Sequence, residues 1–458
     1  MLYEVRMKGR DAEQFEDLGF GETSRYAAHL DRGWAMLERG DPAAARSSAE
    51  HAQEARPDDP DAVVLLGAVA LAEGDAEESL RSYDRAIELD PEYLEPYTAA
   101  AQVCLFELDD PSRGLRYCLD ALELDTLGPF ERLDVHLVAA ECELAGQQDG
   151  EAQRRVASLD EESVLMSTLR LSVRPDLLEE VDRDDPQSVE AVAWAYLCVD
   201  PEGEELDEEE RTERVARALG LAFRLARTRL DLGDVETTTE TLDEILRWYP
   251  GEADAWYLAS EAHHRAGRLP EACVSAVKTL ELDHELELPE WVPSFSIVHH
   301  RVVQLLKDSP EPALEALVDT GRPVTVMVRD TPAPELVMEG VDPRAPVLAL
   351  AARPIPLTEA EAKEEPGPPQ LTGMAVYRRN LARFARNAEH FEQELRHTVL
   401  DELAAFVGLG DSARERLGLP SLGIDEEDPV AAPVPEDPEE GGSSKRKRGR
   451  RRRSRALN

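Results

Sequence analysis

The distribution of apolar and polar positions along the chain repeats with a period of 34 residues. Gly40 and Gly74, and later Gly233 and Gly267, are each separated by 34, and Pro57 and Pro91 keep the same interval. Between these marks, apolar residues recur at helical spacing, which predicts pairs of helices with a glycine closing the first of each pair. Segment 60–93 carries the pattern most fully, with Leu66, Gly67, Gly74, Asp75, Tyr83, Ala86, Asp90 and Pro91. Small residues such as Gly67 let two helices approach, Leu66 and Tyr83 fill between them, and Pro91 ends the second helix.

By the same measure, 26–59 is a unit with Gly33, Ala45 and Ala52 at small positions, and 94–127 is another with one inserted residue near 109–111. Segment 133–159 follows the pattern more loosely, while 219–250 and 251–284 return to it with Trp256, Gly267 and Ala272. The units resemble tetratricopeptide repeats. Residues 160–218 read as degenerate repeats or a bend between arrays, with one helical run at 188–198 and an acidic loop at 200–210.

After His284 the rhythm stops. Segments 295–307 and 311–318 read as helices, 323–328, 346–350 and 373–377 as strands, 358–370 as a Pro- and Glu-rich loop, and 381–406 as helix. Within that last helix and just beyond it, Asp401, Glu402, Ala405, Gly408 and Asp411 sit at telling intervals. In H-E-x-x-H, two His at i and i+4 share one helix face and the Glu between them holds the attacking water. With 324–328, 348–357 and 376–381, segment 396–411 resembles a small bacterial family of minimal zincin-like metallopeptidases, over about a quarter of the chain.

That resemblance implies a general base at Glu402, a third metal ligand at Asp411, and two His ligands at the places held here by Asp401 and Ala405. An alanine methyl donates nothing, and zinc catalysis needs three protein ligands with one open position. The expectation is a degenerate domain with no catalytic residue and no cofactor, its relic base Glu402 and its relic metal positions Asp401, Ala405 and Asp411. The alternative is an active zinc-dependent peptidase with an atypical site, for which His397 and Asp401, also i and i+4, are the candidate pair. Restoring His at 401 and 405 would rebuild the donor set of the resembled family.

The fold class expected is mostly α: a tetratricopeptide solenoid, then a small α+β zincin-like domain and a disordered tail. The domains are a lead at 1–25, a first array at 26–159, a connector at 160–218, a second array at 219–286, the zincin-like domain at 287–420 and the tail at 421–458. The first helices of the repeats would line a groove for a protein or peptide ligand. At the groove positions stand Leu30, Trp34, Val64, Leu71, Leu105 and Phe106, then Phe223 and Tyr257 with Arg227, Glu261, His264 and Arg265. The first set suits an apolar or amphipathic helix.

Charge adds a further candidate. The net charge is −45, yet Lys445, Arg446, Lys447, Arg448, Arg450, Arg451, Arg452, Arg453 and Arg455 crowd one tail. Setting those nine aside leaves −54 on the rest, a body that repels nucleic acid and anionic lipid. The tail itself could bind RNA, DNA or anionic membrane without reading sequence, which makes an RNA- or DNA-associated adaptor a second alternative function. It could equally fold back on the acidic body. Five cysteines without CxxC spacing fit a reducing compartment, and no apolar run reaches membrane-spanning length, so the expected location is cytoplasmic.

Overall fold

The computed structural model describes residues 20–183, 185–200, 203–307, 314, 324–352 and 370–421. They fall into two compact units, Met1–Pro250 and Gly251–Asn458.

The first unit is helical. Hairpins form from α1 (Phe20–Glu38) with α2 (Pro42–Ala55), α3 (Pro60–Ala72) with α4 (Ala76–Leu89), α5 (Leu94–Phe106) with α6 (Pro111–Leu122), and α7 (Pro129–Ala145) with α8 (Asp149–Ala157). The period of 34 has a backbone cause. Gly40 and Gly74 follow the first helices with φ of +77° and +87°, where a Cβ is disfavoured. The next residue is then an aspartate that caps the second helix: Asp41 accepts from the Ala44 amide at 3.0 Å and Asp75 from the Glu78 amide at 2.9 Å. Packing supplies the other half of the pattern. A Cβ on Gly67 would lie 2.6 Å from Cε1 of Tyr83, so the α3–α4 approach needs a hydrogen there.

The connector is more ordered than its sequence suggests. It holds α9 (Glu161–Ser172), α10 (Pro175–Glu180) and α11 (Val189–Cys198), and it ends inside α12 (Glu208–Leu232), which leads to α13 (Val235–Trp248). Helix α12 begins well before position 219 because Asp207 and Glu210 form a reciprocal cap, each side chain accepting from the other's amide, at 2.9 and 3.0 Å. Arginines on α12 then face acids on two earlier helices. Arg217 meets Glu131 at 2.9 Å, Arg224 meets Asp134 and Glu141, and Arg229 meets Glu162.

The second unit opens with the hairpin α14 (Ala253–Arg265) and α15 (Leu269–Glu285), so the boundary between units falls between the two repeats of the second array. There follow α16 (Phe295–Lys307), β1 (Thr325–Arg329), α17 (Pro334–Met338), β2 (Val347–Ala352), β3 (Gln370–Tyr377), α18 (Arg378–Ala382), α19 (Ala388–Val407) and α20 (Asp411–Arg416). The sheet has the order β1-β3-β2. Central β3 runs parallel to β1, with Thr325 opposite Gly373, and antiparallel to β2, with Val347 opposite Val376.

Helices α16 and α19 pack on this sheet through one core. Val298, Val302 and Leu306 meet Met374, Val376, Phe391, Leu395, Val399 and Leu403 there. The continuous helix expected over 381–406 is broken at 383–387, where Asn387 accepts from the His390 amide at 2.9 Å and starts a new helix. Helix α17 has only five residues and was not anticipated. The expected helix at 311–318 and loop at 358–370 lie, but for Leu314 and Gln370, outside the described residues, as does the tail beyond Ser421.

A buried ionic cluster ties α14 and α15 to the rest of this unit. Asp283 on α15 is 1% exposed and accepts from Arg344 at 2.9 and 3.1 Å, while Arg383 pairs with the same carboxylate. Arg344 also meets Asp254 of α14 at 2.5 Å and lies over the Tyr257 ring, 4.7 Å from its centroid. Burial, reinforced by the Arg344 charge, pushes Arg383 below the ordinary guanidinium range. Arg344 ends above its ordinary value: burial lowers it, but the two carboxylates outweigh that.

Candidate zincin-like site

The core stripe of α19 decides where the motif can point. Phe391, Leu395, Val399 and Leu403 recur at i+4 and face the sheet with Leu400 and Ala404. Asp401 and Glu402 are thereby left on the flank of the helix, half-buried, and Ala405 and His397 are exposed. Gly408 closes the helix in the left-handed region with φ of 66°. Asp411 opens α20 behind it.

Each motif position has a protein partner or no donor. Asp401 Oδ1 accepts a charge-assisted hydrogen bond from Nη2 of Arg414 on α20. Glu402 Oε1 accepts from the Ala349 amide of β2 at 2.8 Å. Asp411 Oδ2 accepts from the Ser421 hydroxyl at 2.5 Å. Ala405 offers a methyl. Burial pushes the Glu402 carboxyl above its usual range and the Asp401 charge adds to this, while the Ala349 N–H pulls the other way.

A divalent metal therefore does not fit this set of side chains. It would need three donors converging, and no group of three His, Cys, Asp or Glu able to hold an ion occurs among the described residues. His397, the alternative ligand position, is exposed, and its i+4 neighbour Asp401 pairs with Arg414.

Arg414 is the residue that sequence reasoning missed. It is the largest fully buried side chain described, 1% exposed, with Nε donating to the Pro420 carbonyl at 2.8 Å. A signal was present: Leu409, Ala413 and Leu417 form an apolar i+4 series, and Arg414 stands directly beside it on the inward side. Asp283, Arg344 and Arg383 were missed as well, because their partners lie about 60 to 100 residues away along the chain.

The groove positions divide. Leu30, Val64 and Phe223 are buried in the cores of the first unit. Trp34, Leu71 and Leu105 are half-buried and pack against those cores. Phe106, at the end of α5, is 47% exposed. Tyr257 in the second unit donates to Asp342 Oδ2 at 3.1 Å. The nine basic tail residues lie outside the described residues. No helix among the described residues is long and apolar enough to cross a membrane.

Comparison with known proteins follows these two regions. A family model of zincin-like metallopeptidases matches residues 322–419, and a tetratricopeptide repeat model matches 30–93 and 223–280. No curated protein matches the sequence. Among solved structures, PilF of Pseudomonas aeruginosa is similar at 16% identity and a TM-score of 0.37, over 58% of this chain and 95% of that one. PilW, described as a type IV pilus biogenesis factor, is similar at 14% identity and a TM-score of 0.37, over 59% and 97%. YrrB, described as a tetratricopeptide protein with an unusual peptide-binding site, is similar at 13% identity and a TM-score of 0.29, over 52% and 93%. The chain thus carries tetratricopeptide repeats, a protein-interaction module, followed by a zincin-like metallopeptidase domain.

Proposed function

We propose that the protein is a non-catalytic interaction scaffold, in which the tetratricopeptide repeats bind a protein or peptide and the zincin-like domain has lost its metal chemistry. One observation carries this reading: every motif position is committed elsewhere. Asp401 is held by Arg414, Glu402 by the backbone of β2 and Asp411 by Ser421, and Ala405 has no donor atom. A glutamate bound to a strand amide, without a metal-bound water, has no nucleophile to activate. What persists is the shape of the domain, through its core and the Gly408 cap. The domain limits read from sequence, with an array on each side of 160–218, belong to the same proposal.

Elemental analysis of the purified full chain, together with a peptidase assay, tests the loss of chemistry. Less than a tenth of a zinc per chain and no cleavage are expected. One zinc per chain would overturn the reading.

On the binding side, Phe106 is an apolar groove position open to a ligand, 47% exposed. Phe106→Ala is expected to weaken a peptide selected from a displayed library by roughly 2 kcal/mol. Thermal unfolding should stay where it was. If binding is unchanged, the ligand surface lies elsewhere on the repeats.

A further inference from the structure

We infer that Arg414 excludes metal from the zincin-like helix, its guanidinium taking over at position 401 the electrostatic role that a bound cation would have. This deepens the reading of a domain without metal chemistry and rests on it. The argument begins with where the charge sits. Arg414 brings a guanidinium, a planar cation with several N–H donors. Its side chain is 1% exposed, whereas that of Asp401 is 45% exposed. The positive charge is the buried member of the pair, and the carboxylate reaches in from the surface to meet it. Arg414 Nη1 is buried and has no hydrogen-bond partner among the described residues, so Asp401 is the carboxylate on which its neutralisation depends.

Two consequences follow for position 401. Any donor placed there meets an N–H already pointing at it, so its lone pair is engaged before a metal arrives. A divalent cation brought to the same place would also stand beside the positive charge of Arg414, whose side chain is buried although Asp401 is 45% exposed. The missing imidazoles are therefore half of the obstacle. Restoring them by Asp401→His with Ala405→His leaves the guanidinium in place, and removes the carboxylate that pairs with it. On this inference the rebuilt donor set still faces a cation.

The arrangement also explains why the helix and the turn after it stay together without a metal. In the resembled motif, the ligands on the helix and the one beyond the glycine are joined through the ion. Here α19 and α20 are joined by Asp401 and Arg414, and Arg414 Nε fixes the Pro420 carbonyl in addition. A methionine at 414 would fill similar volume with no charge.

Two measurements on the full chain test the inference. The first is a double-mutant cycle of Asp401→Asn and Arg414→Met, read by hydrogen exchange of the α19 and α20 amides. Coupling of at least tenfold in the opening equilibrium is expected. Singles whose effects simply multiply would overturn the inference and leave the metal-free reading standing.

The second compares zinc affinity of Asp401→His with Ala405→His against the same pair carrying Arg414→Met, titrated with zinc alone. The triple variant is expected to bind at least tenfold tighter. Equal affinity, or no binding by either, would overturn the exclusion role. Zinc in the unaltered protein would instead overturn the metal-free reading, so the two failures are distinct. Should Arg414→Met unfold the unit, Arg414→Gln replaces it, keeping an N–H donor but not the charge.

Discussion

The repeat hairpin α3–α4 and the motif helix α19 are both built on residues at fixed spacing, but what the spacing serves differs. In the hairpin each marked residue acts through its shape: Gly67 gives room to Tyr83, Gly74 takes a φ of +87°, and Asp75 caps. All of these are retained. In α19 the marked residues divide into a geometric member, Gly408, which closes the helix, and positions 401 and 405, which carry Asp and Ala where the resembled motif has His. Constraints of shape and of chemistry are separable. On the proposed reading the glycine is kept because it serves the fold, whereas His at 401 and 405 would serve only an ion.

The largest effect is expected where the two kinds of region meet within the second unit. Asp283→Ala removes the buried carboxylate that holds Arg344 and Arg383, leaving two partly buried guanidinium groups, of which Arg344 still meets Asp254. Stripping one side of a buried ionic cluster costs roughly 3–5 kcal/mol. Hydrogen exchange at the amides of α15 and β2 should accelerate together. Acceleration confined to α15 would show that the hairpin and the sheet are held by something other than this cluster.

Next come the two glycines, which sharpen the contrast between crowding and backbone strain. Gly67→Ala pushes a methyl to within 2.6 Å of the Tyr83 ring and is expected to cost about 1–3 kcal/mol by overpacking. Gly408→Ala forces a side chain into the left-handed region and is expected to cost about 1 kcal/mol. Urea unfolding of each variant checks the order. The reverse order would mean that α3 and α4 can separate slightly at little cost, and that Gly67 is a weaker constraint than its spacing implies.

These cases also show why some of the molecule was legible in the sequence. Gly40, Gly74, Gly233 and Gly267 announce the hairpins because a turn of fixed geometry demands glycine, a local requirement that a linear pattern can display. The strands at 325–329, 347–352 and 370–377 showed through their alternating or apolar runs. The break before α19 was hidden, since Asn387 caps by a side-chain bond that no apolar periodicity reports. For the site, the departures from the motif could be counted by residue type, but the partners of its side chains could not. Arg414 lies 13 residues beyond Asp401, and Ala349 lies 53 before Glu402; only the fold brings either pair together.

The smallest effect, and the most specific, concerns Glu402. Its carboxyl stands above the usual range because burial disfavours the charged form. The folded state therefore holds the proton more tightly than the unfolded chain does. The sign follows from that difference. Below the ordinary carboxylate range Glu402 is protonated in both states and costs nothing. As pH rises from that range through the raised value, the folded state must surrender a proton it favours, and stability falls. Glu402→Gln keeps an oxygen for the Ala349 amide and removes the titration. The variant should be close to the unaltered protein in acid and gain on it as pH rises to 7 or 8, with urea unfolding at several pH values as the readout. A gap between the two proteins that stays constant with pH would show that Glu402 is hydrated after all. A gap that narrows on raising pH would mean the carboxylate is the favoured form, held by the β2 amide more strongly than burial opposes it.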